Sequence, residues 1–240
     1  MARIPEYLIE NEASQLRERF FLGDRLPVDI EGLLLKQGIL TVFTPMSGDF
    51  SGMCLKYDEK TNFILVNSDT VIGRQNFTIA HELYHLYVQD EHEFKVHSCD
   101  VINPQSPIEK HANMFASYFL LPKAGVIDVM QRIECNKKTV NAAHIIVMCN
   151  YFGVSYMAML VRVNKILGLS TERLEALKEI QPVSKAKEFG LKTDVFDKPK
   201  VKDKVIGDYS SKAQALYESG LISKGHLIEL LDDVKLSGDE

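Results

Sequence analysis

Apolar residues recur at helical spacing along most of the chain and read as strands only in one early stretch. Residues 5–21 begin with Pro5, carry acidic groups early and Arg17 and Arg19 late, and line up Leu8, Leu16 and Phe20, which predicts a helix matched to its own dipole. A second helix is expected from Pro27 and Val28, with Asp29 and Glu31 in its first turn and a stop at Gly38. Residues 39–44, 50–57 and 62–67 are apolar and rich in strand formers. The last two flank a polar turn at 58–61 and read as a hairpin. Gly52 inside it points to a bulge or to the close approach of another backbone.

The period then changes for good. Phe77, Ala80, Leu83, Tyr84, Tyr87 and Val88 form one stripe of a helix within 76–90. After a polar stretch, Ser106 and Pro107 open another helix, Ala112, Phe115, Ala116 and Phe119 share a face, and Pro122 ends it. Further helices are expected at 122–134, 139–152 and 155–167. The fold class is therefore α+β, a small antiparallel sheet leading into a helical core. Residues 181–206 carry seven lysines against four acidic residues with little periodicity. They read as a linker or mobile arm, the sharper alternative being a nucleic-acid-contacting regulatory arm. Two short helices follow around Ser219 and Gly220, and there is no internal repeat.

Composition narrows the class. Apolar content of 45% and charged content of 25% are those of a soluble globular protein. A net charge of −5 argues against the whole chain being a general nucleic-acid binder. The early acidic residues exclude a signal peptide, and no apolar run is long enough to span a membrane. Cys54, Cys99, Cys135 and Cys149 form no C-x-x-C pair, which fits reduced thiols in a cytoplasm.

The chemistry concentrates at His81-Glu82-Leu83-Tyr84-His85. Four residues on a helix is one turn, so both imidazoles can reach one ion while Glu82 stands beside them as general base. This H-E-x-x-H spacing is that of a zinc site with one position left for water. For the third ligand, the longer signature with Gly at 88 and His at 91 is absent, since Val88 and Glu91 stand there and His92 is one place too far. His97 and Asp100 lie in a polar loop with nothing to aim them. Glu109 sits on the next helix, with Asn113 one turn on and able to hydrogen-bond a ligating imidazole.

The chain here resembles the ImmA/IrrE metallopeptidases, relatives of the gluzincins. The resemblance rests on Leu26 to Ile30, Gly38-Ile39, Ser51-Gly52, Ile64 to Asn67, Arg74 to His85, and Glu109 to Ala116 through Leu120-Leu121-Pro122, and it covers about residues 25–170. It implies a zincin-type helical core beneath the sheet. It also implies His81, His85 and Glu109 as ligands of one Zn2+ and Glu82 as the catalytic carboxylate. Tyr84 departs from a usual small residue and is expected to crowd the pocket, and His111 stands where another acid is common. On this reading residues 1–170 form the metallopeptidase domain with its N-terminal helices, 171–209 a helix and Lys-rich linker, and 210–240 a C-terminal helical appendage.

The resemblance further implies a cytoplasmic zinc endopeptidase that cuts a specific helix-turn-helix repressor or antitoxin-like partner, switching on mobile-element, stress or defence genes. Cys99 is a candidate inhibitory fourth ligand, with Cys54 behind it. Tyr118, His144, Tyr151 and Tyr156 are candidates for a donor to the oxyanion. Two alternatives stand beside the protease. Residues 150–158 have the helix-turn-helix rhythm of a DNA-binding regulator, with Arg162, Asn164 and Lys165 as its polar readers. The other is a ligand sensor with a non-proteolytic zinc site.

Overall fold

The computed structural model describes residues 5–56, 62–89, 98–99 and 106–235. Side-chain caps set most helix starts. Asp29 accepts from the Gly32 amide at 3.1 Å and so precedes α2 (Ile30–Lys36) instead of lying in its first turn. Ser106 accepts from Glu109 N at 3.2 Å to start α4 (Pro107–Leu120). Asn141 and Ser155 cap α6 (Ala142–Phe152) and α7 (Tyr156–Leu167) in the same manner. Gly153 ends α6 with a φ of 68°, a left-handed conformation that favours glycine, and the two helices meet at a sharp bend.

The sheet has five strands in the order β4-β2-β3-β1-β5, built from β1 (Leu40–Thr44), β2 (Gly52–Lys56), β3 (Asn62–Asn67), β4 (Ser98–Cys99) and β5 (Lys204–Ile206). The α+β class holds, but the sheet is mixed and not antiparallel. β3 lies between β2 and β1, running against β2 (Cys54 opposite Ile64) and parallel to β1 (Val42 opposite Leu65). Its burial explains the central place: Asn62, Ile64, Val66 and Asn67 are buried and the residues between them half-buried, so both faces are covered. The expected turn at 58–61 lies outside the described residues.

The Lys-rich segment does not hang free as an arm. It forms α9 (Pro182–Glu188), a short 3-10 turn at Asp194–Phe196 and β5, which pairs antiparallel with β1 through Val205 opposite Val42. Val195, Phe196 and Ile206 are buried, so these apolar residues tie down a stretch whose lysines face solvent.

The layers run from the sheet through α3 (Ile72–Tyr87) to α4 and then to α1 (Glu6–Arg19). Every residue from Thr78 to Leu86 is buried, as expected of a helix covered by a sheet on one side and a helix on the other. α1 meets α4 through Arg17, which is 2% exposed and not the solvated dipole partner its position suggests. Its guanidinium donates to Phe119 O at 2.5 Å, Gly23 O at 2.6 Å and Leu26 O at 2.7 Å. Desolvation by burial brings its pKa down to about 10. Among the described residues no single helix is long and apolar enough to cross a membrane.

Candidate metal centre

α3 presents His81 and His85 one turn apart, and α4 presents Glu109 and Asn113 one turn apart against them. The three candidate ligands meet. His81 Nε2 lies 3.0 Å from Glu109 Oε2, His85 Nε2 lies 3.5 Å from Glu109 Oε1, and the two Nε2 atoms are 3.1 Å apart. Among the described residues this is the cluster whose ligand atoms, all within 4.8 Å of one another, could hold a metal ion.

The other ring nitrogens are held from behind. His81 Nδ1 lies 2.8 Å from Asn113 Oδ1, as the helix spacing suggested, and His85 Nδ1 lies 2.5 Å from Gln89 Oε1. An amide oxygen can only accept, so each Nδ1 carries the proton and each Nε2 turns a lone pair inward. Gln89 was missed in the sequence, although it follows His85 by the same four residues that separate the histidines. Two lone pairs and a carboxylate facing one point need a cation between them, and the donor set fits a metal ion.

The electrostatics agree. His81 is 0% exposed, and burial works against its charged form, yet Glu109 and Glu82 outweigh that and raise its pKa. Glu82 is buried beside the cluster, and a Cβ placed on Gly52 would lie 3.6 Å from its Oε1. The same Cβ would lie 2.5 Å from Thr78 Cγ2 and 2.9 Å from Leu65 O, so Gly52 marks a close approach and lets β2 reach α3. Cys54, on the same face of β2, is buried and donates its thiol to Glu82, and burial first and that carboxylate second push its pKa far up. That thiol stays protonated against the base instead of acting as a ligand.

Other sequence candidates fall as follows. Tyr84 packs its ring against His85 and Phe115, with centroids 5.5 Å away in each case, and so walls the His85 ring. Cys99 lies in β4 with its backbone opposite Gly52, while its side chain lies outside the described residues, as do His92, His97 and Asp100. The Tyr118 hydroxyl meets Glu6 and Lys165, Tyr156 donates to Leu177 O at 3.1 Å, and the Tyr151 ring packs edge-on against Phe152. His144 lies in the first turn of α6, where burial lowers its pKa.

The polar readers of the DNA-binding alternative are all engaged within the protein. Arg162, 3% exposed, donates to Leu121 O at 2.9 Å and to Glu10 at 2.9 Å. Asn164 accepts from the Leu169 amide at 3.1 Å, and Lys165 pairs with Glu6. With Met159, Leu160 and Val163 in the core, α7 is a packing helix.

Comparison with known proteins places this architecture. No curated protein matches the chain. Among solved structures, a Mycobacterium tuberculosis transcriptional regulator is similar over 66% of this chain and 46% of that one, at 17% identity and a TM-score of 0.45. The chain thus spans less than half the length of that protein. The family model for the IrrE N-terminal-like domain matches residues 35–164, from the end of α2 almost to the end of α7. Because that match takes in more than half of the chain, including β1 to β3 and both helices that bear the cluster, the chain belongs to the Peptidase_M78 family of IrrE N-terminal-like domains, a family of metallopeptidase-like role.

Proposed function

We propose that the chain is a zinc-dependent endopeptidase in which His81, His85 and Glu109 hold the ion and Glu82 is the catalytic carboxylate. The observation that carries this reading is the convergence of two Nε2 atoms and one carboxylate within 4.8 Å. Two imidazoles and one carboxylate are a donor set that suits zinc better than magnesium or calcium, which prefer all-oxygen sites. When bound, the ion supplies a Lewis acid for the peptide carbonyl and acidifies a water.

The chain's own residues do the rest. Asn113 and Gln89 fix the tautomer and aim of the two imidazoles. Glu82 takes the proton of the attacking water and returns it to the leaving amine. The Cys54 thiol, donating to Glu82, holds that carboxylate on the sheet side of α3. Burial of His81, Glu82 and His85 keeps bulk water from screening these charges.

The substrate proposed is a helix-turn-helix repressor, which implies a cytoplasmic protein acting on transcription. The test is to incubate the purified chain with the repressor encoded beside it and to follow cleavage by mass spectrometry. Wild type should cut at one bond, and Glu82→Gln should keep its metal and cut at least about a hundredfold more slowly. Cleavage by both at equal rates, or by neither while the metal is bound, defeats the reading.

A further inference from the structure

Two cavities that the hydrolytic chemistry does not use adjoin beside α7. One of about 640 Å3 lies between α3, α4 and α7, and one of about 740 Å3 lies between α7 and α9. Val71, Ser155 and Met157 line both, so the two form one trough. Together they exceed the roughly 300–1,000 Å3 of a small-molecule site.

The wall of the trough is apolar where α7 borders it. Met157 and Val161, one turn apart, are 47% and 51% exposed, while Met159, Leu160 and Val163 of the same helix are fully buried. The charge is one-sided. Arg74, Arg162, Lys165 and Lys187 line the trough and, among the described residues, no carboxylate does, although the chain's net charge is −5. Glu10 and Glu6 answer Arg162 and Lys165. The side chains of Arg74 and Lys187 have no hydrogen-bond or ion-pair partner among the described residues. At its α4 end the trough reaches Asn113, the residue that holds His81 at 2.8 Å.

We propose that this trough docks an acidic amphipathic helical segment of the protein substrate, with apolar side chains against Met157 and Val161 and carboxylates on Arg74 and Lys187. The identity of the docked chain as substrate rests on the proteolytic reading. Exposed residues spaced by one helical turn suit a helix laid in a groove, and methionine adapts its shape to such a partner. Two unanswered cations in an apolar setting select glutamate or aspartate over a neutral surface. Docking apart from the cluster would tether one particular protein to the chain and so make cleavage selective for it.

The test uses the full chain carrying Glu82→Gln and two fluorescein-labelled amphipathic peptides of about eighteen residues, both with leucine on one face. One has glutamate on the other face and its twin has lysine. Fluorescence anisotropy should give saturable binding of the acidic peptide, with the lysine twin at least about tenfold weaker. Arg74→Glu with Lys187→Glu should invert that preference. Val161→Ser with Met157→Ser should weaken the acidic peptide about tenfold, and thermal melts should show every variant folded. Equal binding of the twins, binding indifferent to these substitutions, or displacement of the peptide by duplex DNA or anionic vesicles overturns the proposal. Cleavage of the intact repressor by wild type, followed by mass spectrometry, tests the proteolytic reading separately. Docking without hydrolysis leaves the trough standing and sinks the protease, and hydrolysis without docking does the reverse.

Discussion

Asn113 Oδ1 lies 2.8 Å from His81 Nδ1, on the side of the ring turned away from Glu109. One helix thus supplies both the carboxylate in front of His81 and the amide behind it, because Glu109 and Asn113 are one turn apart on α4. Gln89 serves His85 in the same way from beyond the end of α3. Asn113→Ala and Gln89→Ala should each lower metal affinity about 10–100-fold with the fold intact. Competition against a chelator of known affinity, with circular dichroism alongside, measures both. Affinity unchanged in both variants would remove the amides from the account.

Metal loading should depend on pH in a definite direction. Despite burial, Glu109 and Glu82 raise the His81 pKa in the ion-free chain. A raised folded pKa gives stability that is fully present below the unfolded value and is lost as pH rises through the folded value. The ion needs the same ring neutral, so its affinity falls as pH drops through that range. The melting temperature of the stripped protein should therefore decline on going from about pH 6 to 8, while that of the loaded protein rises. Parallel trends in the two preparations would contradict the assignment of His81.

Gly52 is the point where sheet and active helix touch. A methyl group there meets Thr78 Cγ2 at 2.5 Å and Leu65 O at 2.9 Å, and the second of these is backbone and cannot swing aside. Gly52→Ala should destabilise the protein by about 1–3 kcal/mol and shift β2 against Glu82. Hydrolysis should fall while metal content holds. Urea denaturation and metal analysis on the same sample separate the two effects.

Arg17 carries the junction of α1 with α4 by donating to backbone oxygens of Leu22, Gly23, Leu26 and Phe119. Arg17→Leu removes three part-buried bonds and leaves the buried Phe119 carbonyl unmet, which should cost about 1–3 kcal/mol. Because Phe119 stands at the far end of α4 from Glu109, the folded fraction should still bind metal at full stoichiometry. Wild-type stability in Arg17→Leu would mean that water satisfies those oxygens.

Much of this centre could be read from spacing alone. The pair His81 and His85, the pair Glu109 and Asn113, and the helix opening at Ser106 all depend on contacts within one or two turns. What escaped depends on distant partners. β5 is only three residues long and lies in a Lys-rich stretch, so no alternating pattern could reveal that Val205 pairs with Val42. The parallel pairing of β1 with β3 follows from β3 settling in the middle of the sheet, which the hairpin signal does not specify. Arg17 sits where a helix dipole welcomes a cation, and nothing local reveals that α4 closes over it.

The most direct test is the metal itself. The ion-free chain is titrated with Zn2+ and its bound content measured, next to His85→Ala and Glu109→Gln. The account expects one ion per folded wild-type chain and a large loss of affinity in both variants. Folded wild type that takes up no ion, or variants that hold zinc as tightly as wild type, would contradict it.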